Sequence, residues 1–160
     1  MKGFLLVKLK DVRLLILIIL MALLLDYGYE SFRVEGDSMA ETYSDGERFL
    51  VNKVAFKFLK PQVGDVIVFW SFKEGDFMLK RVIAVPSDVI EVIEGYIFVN
   101  GAMYEDSLSE QRILDQVNFQ GYGDIPAVWL GDDEYWCIGD NRDESWFGIV
   151  YRDEILGLVE

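Results

Sequence analysis

Residues 33–43 read Arg33-Val34-Glu35-Gly36-Asp37-Ser38-Met39-Ala40-Glu41-Thr42-Tyr43, and they follow the only strongly apolar run of the chain. That run is twelve residues long and extends from Leu14 to Leu25. The stretch therefore places a serine, Ser38, just outside a segment that resembles a membrane anchor. The apolar segment lies before this stretch, and the rest of the chain follows it.

The apolar run is short for a bilayer, which a helix of about 20 residues normally crosses. A helix over residues 7–29 has enough length if basic residues reach one interface and Tyr27 and Tyr29 lie in the other. A secretory signal peptide has a similar start, but it ends in a small-x-small cleavage site, which residues 26–30 do not contain. We therefore expect a retained helix that spans the membrane once.

Charge is distributed unevenly along the chain. Residues 1–29 carry four basic and two acidic side chains, a net charge of +2. Because the whole chain carries −13, residues 30–160 carry −15. Basic residues before an apolar helix favour a cytoplasmic N-terminus. We expect a cytoplasmic segment at 1–13, a transmembrane anchor at 14–29 and an extracytoplasmic β-rich domain at 30–160.

The acidic body limits the partners that the protein can have. It argues against nucleic acid and against electrostatic docking on anionic lipid, so contact with membrane lipid has to come from apolar surface and the anchor. The same acidity can serve solubility alone. Cys137 is the only cysteine, which excludes an intramolecular disulfide and a cysteine-based zinc site. Acidic pieces such as residues 132–134 fit solvated turns better than metal sites, so we expect no metal and no cofactor.

After residue 30 the sequence changes to short β-branched and aromatic runs between turn residues, which is typical of strands. The predicted strands are residues 48–54, 66–70, 77–85, 88–93 and 96–99, followed by a final pair at 135–138 and 155–159. Residues 102–131 are polar and predicted to be irregular, with a short helical or strand piece at 111–117. We predict one mainly β domain, an antiparallel sheet folded as a barrel or a sandwich, with one N-terminal helix.

The chemistry of Ser38 depends on finding a base for it. The chain contains no histidine, so a Ser-His-Asp triad and a Cys-His pair are both excluded. Strand alternation directs Lys80 to the same apolar face as Met78 and Val82, and a desolvated lysine can be neutral near pH 7. The plain alternatives are a serine in a turn and a lysine that points to solvent.

Four sequence blocks in a fixed order carry a family resemblance. They are Gly36-x-Ser38-Met39-x-x-Thr42 after the apolar run, then residues 64–69, 80–86 and 139–145. Together they resemble the type I signal peptidases, over the chain from about residue 14 to its end. The resemblance implies a signal-peptidase-like β domain and a membrane-anchored serine endopeptidase, which removes N-terminal signal peptides from translocated proteins after small side chains.

The resemblance also implies roles for particular residues. Ser38 is the nucleophile, with its own backbone N–H in the oxyanion hole, and Lys80 is the general base. Met39 packs toward the membrane and the substrate, and Ser145 matches a serine that orients the lysine. Family members often have a hydroxyl where this chain has Gly36, so only backbone or water can complete the oxyanion hole here.

Other residues near the site support the fold or depart from the family pattern. Arg81 lies on the strand face opposite to the lysine and is predicted to pair with a carboxylate, for which Asp140 is the candidate. Glu41 stands where the family usually has proline. The loop around Ser145 is shortened: either Ser145 matches the first serine of the family block, or it matches the second and the deletion lies upstream.

Two other functions are open to this sequence. Self-cleaving repressor and mutagenesis-related proteases use a Ser/Lys pair on a related β fold, but they are soluble, and the apolar run weighs against them. A catalytically inactive membrane-tethered binding module is suggested by Glu41 and the shortened loop. Labelling with a serine-directed acylating inhibitor separates an enzyme from such a module.

Overall fold

The computed structural model describes residues 2–40, 42–105, 124–142 and 145–159. Glu41 and the piece predicted at 111–117 lie outside these residues. The elements in chain order are α1 (Lys2–Gly28), β1 (Tyr29–Arg33), β2 (Arg48–Asn52), α2 (Lys53–Phe58), β3 (Val66–Ser71), β4 (Asp76–Ala84), β5 (Val89–Ile93), β6 (Tyr96–Val99), β7 (Ala102–Met103), β8 (Ile125–Trp129), β9 (Glu134–Ile138), β10 (Phe147–Tyr151), a 3₁₀ turn (Arg152–Glu154) and β11 (Ile155–Val159).

The body is built from two antiparallel sheets, which confirms the prediction of a mainly β fold. Seven strands form the larger sheet in the order β1-β2-β11-β3-β4-β9-β10, and four form the smaller one in the order β7-β6-β5-β8. A buried apolar cluster joins the sheets, with Ile83 of β4 and Ile138 of β9 packed against Ile90 of β5 and Ile97 of β6. The alternating β-branched residues of these strands supply that layer.

β4 is the strand that positions the site. It pairs with β3 along residues 76–81 but with β9 only along residues 81–84. The edge of β4 at residues 76–80 therefore pairs with no strand on its second side in the described part of the chain. Phe32 of β1 reaches Phe77 of β4 with ring centroids 5.3 Å apart, so the larger sheet curls and brings β1 close to this edge.

Several elements differ from the prediction. The helix α2 replaces the end of the strand predicted at 48–54, because an N-terminal cap forms there. The Asn52 side chain accepts a hydrogen bond from the Ala55 N–H at 2.8 Å. β8 lies inside the region predicted to be irregular and is held by pairing with β5. β9 and β11 are not partners of each other, since β9 pairs with β4 and β10 while β11 pairs with β2 and β3.

α1 is a continuous helix of 27 residues that precedes the body. Its large apolar side chains from Leu14 to Met21 are at least half exposed. Within the residues that the structure describes, no helix has both the length and the hydropathy of a membrane crossing.

Candidate active site

Ser38 lies on the connection between β1 and β2, in a tight turn. The Ala40 N–H donates to the Asp37 carbonyl at 3.0 Å, which closes the turn around Ser38. Two further backbone bonds, from Val34 N–H to the Glu47 carbonyl and from Gly46 N–H to the Val34 carbonyl, close the base of the connection. The serine is thus presented by a closed loop, as strand-flanking turns often present functional groups.

Gly36 has a backbone conformation that glycine adopts most easily, with φ of +82°. A Cβ at this position would meet nothing within 4 Å, so the requirement lies in the backbone angle and not in space. The Gly36 N–H donates to Asp45 Oδ1 at 2.9 Å. This N–H is therefore already engaged and is not aimed at a reacting carbonyl.

The loop after β9 holds the Ser38 turn from one side. The Asn141 N–H donates to the Ser38 carbonyl at 3.1 Å, and the Asn141 side-chain amide donates to the Asp37 carbonyl at 3.1 Å. A Cβ at Gly139 would overlap both the Ser38 carbonyl oxygen and Ser145 Oγ. Glycine at 139 therefore allows the turn to lie directly against the loop.

Lys80 is 2% exposed and reaches the serine from the strand edge. Its Nζ donates to Ser38 Oγ at 2.7 Å and to the Leu79 carbonyl at 3.0 Å. Among the described residues, no carboxylate forms an ion pair with it. Burial lowers the pKa of Lys80 from 10.5 to about 8, and the negative charge of Asp140 opposes that shift.

Cys137 contributes to the apolar surroundings of Lys80. It lies opposite Val82 in the register of β4 and β9, on the strand face of the lysine, and it is fully buried. Burial raises the pKa of its thiol, which therefore stays neutral. Its proximity to Lys80 is not predicted, because strand register is not readable from one sequence.

Arg81 and Asp140 meet on the opposite face of β4. Arg81 Nε donates to Asp140 Oδ1 at 2.7 Å and Nη2 donates to Oδ2 at 2.5 Å, a two-point contact in which the carboxylate is fully buried. Arg81 Nη1 also donates to the Gly64 carbonyl at 2.7 Å. The Thr42 hydroxyl, to which sequence analysis assigns no role, donates to the same carboxylate. The ion pair thereby joins β4, the Ser38 loop and the loop after β9.

A cleft of about 480 Å³ opens beside Ser38 and Lys80. One wall comes from β1 and the residues that follow it, and the other comes from residues 76–80 of β4. Apolar side chains line the cleft, among them Val34 and Leu79 from the two walls and Val68 from β3, and all three belong to one packed cluster. A serine hydroxyl, a buried lysine and a strand edge that has no partner among the described residues on its second side thus lie in one groove.

Comparison with known proteins identifies the family of this chain. The family model described as signal peptidase, peptidase S26, matches residues 8–160. The chain belongs to the signal peptidase S26 family. A probable signal peptidase I-1 of Synechocystis sp. is 34% identical over an alignment of 162 residues, gaps included. The alignment covers 92% of this chain and 78% of that protein. Signal peptidase I P of Bacillus subtilis subsp. natto is 31% identical over 92% of this chain and 83% of its own length.

A solved structure is also similar to this chain. The crystal structure of a signal peptidase I from Enterococcus faecalis aligns with a TM-score of 0.48 and 22% identity, over 64% of this chain and 98% of that chain.

Two residues with roles implied by the family resemblance lie in unexpected surroundings. Met39 is 1% exposed, and its sulfur accepts a hydrogen bond from the Asp140 N–H at 3.4 Å, so it anchors the turn from below while lining the cleft. The Ser145 hydroxyl is buried and donates to the Trp146 carbonyl at 3.0 Å. Among the described residues, no hydrogen bond joins it to Lys80. The roles predicted for Met39 and Ser145 stay predictions.

Within the described residues, no group of three or more acidic, cysteine or histidine side chains lies close enough together to hold a metal ion.

Proposed function

We propose that this protein is a membrane-anchored serine endopeptidase that cleaves N-terminal signal peptides, with Ser38 as nucleophile and Lys80 as general base. The observation that carries the proposal is the 2.7 Å contact between Lys80 Nζ and Ser38 Oγ in a buried site. Membership of the signal peptidase family supports the substrate class.

The first step of the proposed reaction is proton transfer from the serine to the lysine. With a pKa of about 8, about a tenth of the Lys80 side chains are neutral at pH 7, whereas a solvated lysine is almost entirely charged. In the neutral form the hydrogen bond reverses, so that the hydroxyl donates to Nζ. The serine oxygen then attacks the carbonyl carbon of the scissile bond, and Lys80 takes its proton.

The second step requires donors for the negative charge that develops on the carbonyl oxygen. Within the described chain, the Ser38 N–H donates no hydrogen bond, so it is available for this oxygen. The Gly36 N–H is held by Asp45, so another backbone N–H or a water completes the hole. The protonated Lys80 then donates to the departing amine nitrogen, which leaves an acyl group on Ser38 for hydrolysis by a water that Lys80 activates.

The substrate is proposed to bind as an extended strand in the cleft. Residues 76–80 of β4 offer backbone donors and acceptors to such a strand, in the β-augmentation mode. The apolar lining from Val34, Val68 and Leu79 suits small uncharged side chains next to the scissile bond. The same groove runs from the proposed nucleophile to the open edge, so binding and chemistry are continuous.

The anchor is part of the proposal and rests on α1, a helix of 27 residues. At the usual helical rise its length is about 40 Å, which exceeds the hydrocarbon core of a bilayer at roughly 30 Å. The apolar run from Leu14 to Leu25 lies in its second half, next to the body. The basic residues before that run favour a cytoplasmic N-terminus and an extracytoplasmic body.

Labelling with a serine-directed acylating inhibitor tests the proposed nucleophile. We expect covalent labelling of one site at pH 8–9, its loss in Ser38→Ala, and its retention in Ser44→Ala, which removes an exposed hydroxyl from the same loop. Mass spectrometry of the labelled peptide locates the site. Equal labelling of the two variants, or no labelling together with no cleavage of a signal peptide, would favour the inactive binding module.

A further inference from the structure

The charge of the body is interrupted by one basic segment. Residues 48–64 contain Arg48, Lys53, Lys57 and Lys60 and no acidic residue, although residues 30–160 carry −15 in total. We call residues 53–63, which comprise α2 and the turn after it, the α2 segment. Its charge is opposite to that of the rest of the body.

The outer face of the α2 segment is apolar as well as basic. Phe58 is 82% exposed, Leu59 58% and Val63 46%. Lys57 and Lys60, which flank the first two, are exposed too. Large apolar side chains grouped with lysines on an exposed surface are typical of segments that bind a membrane interface.

The inner face of α2 packs against the larger sheet. Phe56 packs against the buried cluster that contains Ile155, and the Arg152 guanidinium lies 5.1 Å from the centre of the Phe56 ring. These contacts fix the orientation of α2. Phe58 and Leu59 are left exposed in this orientation.

The start of the α2 segment lies next to the end of α1 in space. A Cβ at Gly28, the last residue of α1, would lie 3.0 Å from the Val54 side chain. Lys53 pairs with Glu30 at 3.0 Å, and the Asn52 side chain donates to the Tyr29 hydroxyl at 3.1 Å. At about 1.5 Å per helical residue, Phe58 lies only about 6 Å along α2 from Val54. An anchor formed by α1 therefore brings the exposed face to the membrane surface.

We propose that the α2 segment docks on anionic lipid beside the anchor, with Phe58 and Leu59 at the acyl boundary and Lys57 and Lys60 on the headgroup phosphates. The inference rests on the proposed α1 anchor and goes beyond it, because it assigns a second contact to the body. Continuity with α1 and the local positive charge favour a lipid surface over a protein partner. The docking fixes the height of the cleft above the bilayer.

The test uses the full chain reconstituted in vesicles, with an environment-sensitive fluorophore on the cysteine of Leu59→Cys. Cys137 is fully buried, so the folded protein offers one reactive thiol. A matched probe on Ala102→Cys, an exposed position of the smaller sheet, serves as the control. Each probe is read in phosphatidylcholine vesicles with and without phosphatidylglycerol, and with quencher-bearing lipids.

We expect a blue shift and lipid quenching for the probe at 59 in anionic vesicles, and neither for the probe at 102. Each lysine contributes roughly fivefold to the ratio of docked to undocked protein, so Lys57→Gln with Lys60→Gln lowers that ratio by about 25-fold. The double variant Lys57→Arg with Lys60→Arg keeps the charge and the docking.

Three outcomes of the fluorescence experiment would overturn the proposal. Equal signals in neutral and anionic vesicles would show apolar contact without the lysines. An unquenched probe would show that the segment stays in water, and a signal that grows with the protein-to-lipid ratio would assign the face to a second copy of the chain. Flotation of the protein with vesicles after an alkaline wash measures the anchor separately. A chain that does not float would overturn the anchor and the docking together, whereas absent cleavage would affect neither readout.

Discussion

Lys80 and Arg81 are adjacent on β4, and both are cations with largely buried side chains, yet the two faces of the strand treat them differently. Lys80 lies among apolar side chains, its hydrogen bonds within the described part of the chain go to a hydroxyl and a carbonyl, and its pKa falls to about 8. Arg81 meets the buried Asp140 carboxylate through two hydrogen bonds. One face therefore suits the proposed base, and the other forms a structural ion pair.

The contrast shows how an acidic protein lowers the pKa of a buried lysine. A carboxylate as close to Lys80 as Asp140 is to Arg81 would stabilise the ammonium and raise its pKa. The Asp140 carboxylate does oppose the lowering of the Lys80 pKa, but it forms its ion pair with the Arg81 guanidinium. Pairing Asp140 on the far face thus protects the chemistry on the near face.

The largest expected effect comes from giving Lys80 the chemistry of Arg81. In Lys80→Arg the guanidinium stays protonated and cannot take the serine proton, so cleavage of a signal peptide should fall by about 10³–10⁴-fold. Cleavage by Lys80→Met, whose side chain has a similar length but no basic group, should fall by the same factor. Substantial activity in Lys80→Arg would exclude Lys80 as the base.

The control for this prediction is Lys73→Met, which removes a lysine that is 78% exposed from the turn before β4. It should leave the cleavage rate within twofold of the wild-type rate. Thermal unfolding of all three variants, followed by circular dichroism, separates lost chemistry from a lost fold.

The second effect concerns the ion pair on the other face. Asp140→Ala leaves the Arg81 guanidinium, whose side chain is 19% exposed, without its carboxylate. We expect a loss of about 2–4 kcal/mol in the free energy of unfolding, because a largely buried cation loses its carboxylate. Glu30→Ala breaks the exposed pair with Lys53 and should cost under about 1 kcal/mol. Denaturant titration of the detergent-solubilised protein measures both. Equal losses would mean that burial does not distinguish the two pairs.

A smaller effect is expected at Ser145, next to the site. If this hydroxyl orients Lys80 during turnover, Ser145→Ala should lower turnover by about 10- to 100-fold without changing the fold. The observed bond to the Trp146 carbonyl offers a different role, in which the hydroxyl only holds the loop. Unchanged turnover, with a lowered melting temperature, would establish that role.

The sequence predicts the parts of the fold that are encoded locally. The strands expected at 66–70 and 77–85 match β3 and β4 to within one residue at each end, because turn residues bracket a clear run of strand formers. The prediction is wrong for β8 and for the partners of β9, since both depend on pairing between distant parts of the chain. It omits α2 because a short helix capped by Asn52 has no apolar period of its own.

The candidate site divides in the same way. Ser38 and Lys80 are recognisable from residue type, the absence of histidine and the order of the blocks, and Arg81 from its strand phase. The contacts of Thr42 with Asp140 and of Asp45 with Gly36 are not predictable, because each requires the loops and the register to be known. The net charge of the body likewise conceals the basic α2 segment, whose importance depends on its position beside α1.

The smallest effect is the most direct measure of the environment of Lys80. In the proposed mechanism the reacting form of Lys80 is the neutral amine, so a folded-state pKa of about 8 requires the rate to rise with pH and to level off above about pH 9. Between pH 7 and pH 9 the neutral fraction grows by about tenfold, and kcat/KM for a signal peptide should follow it. No histidine exists to produce the same limb, and the buried Cys137 thiol has a raised pKa, so it titrates far above this range. Cys137→Ala, which removes the thiol and keeps an apolar group, should therefore preserve the limb. A limb near pH 10 instead would mean that water or a carboxylate reaches Lys80, and the contrast between the two faces of β4 would then fail.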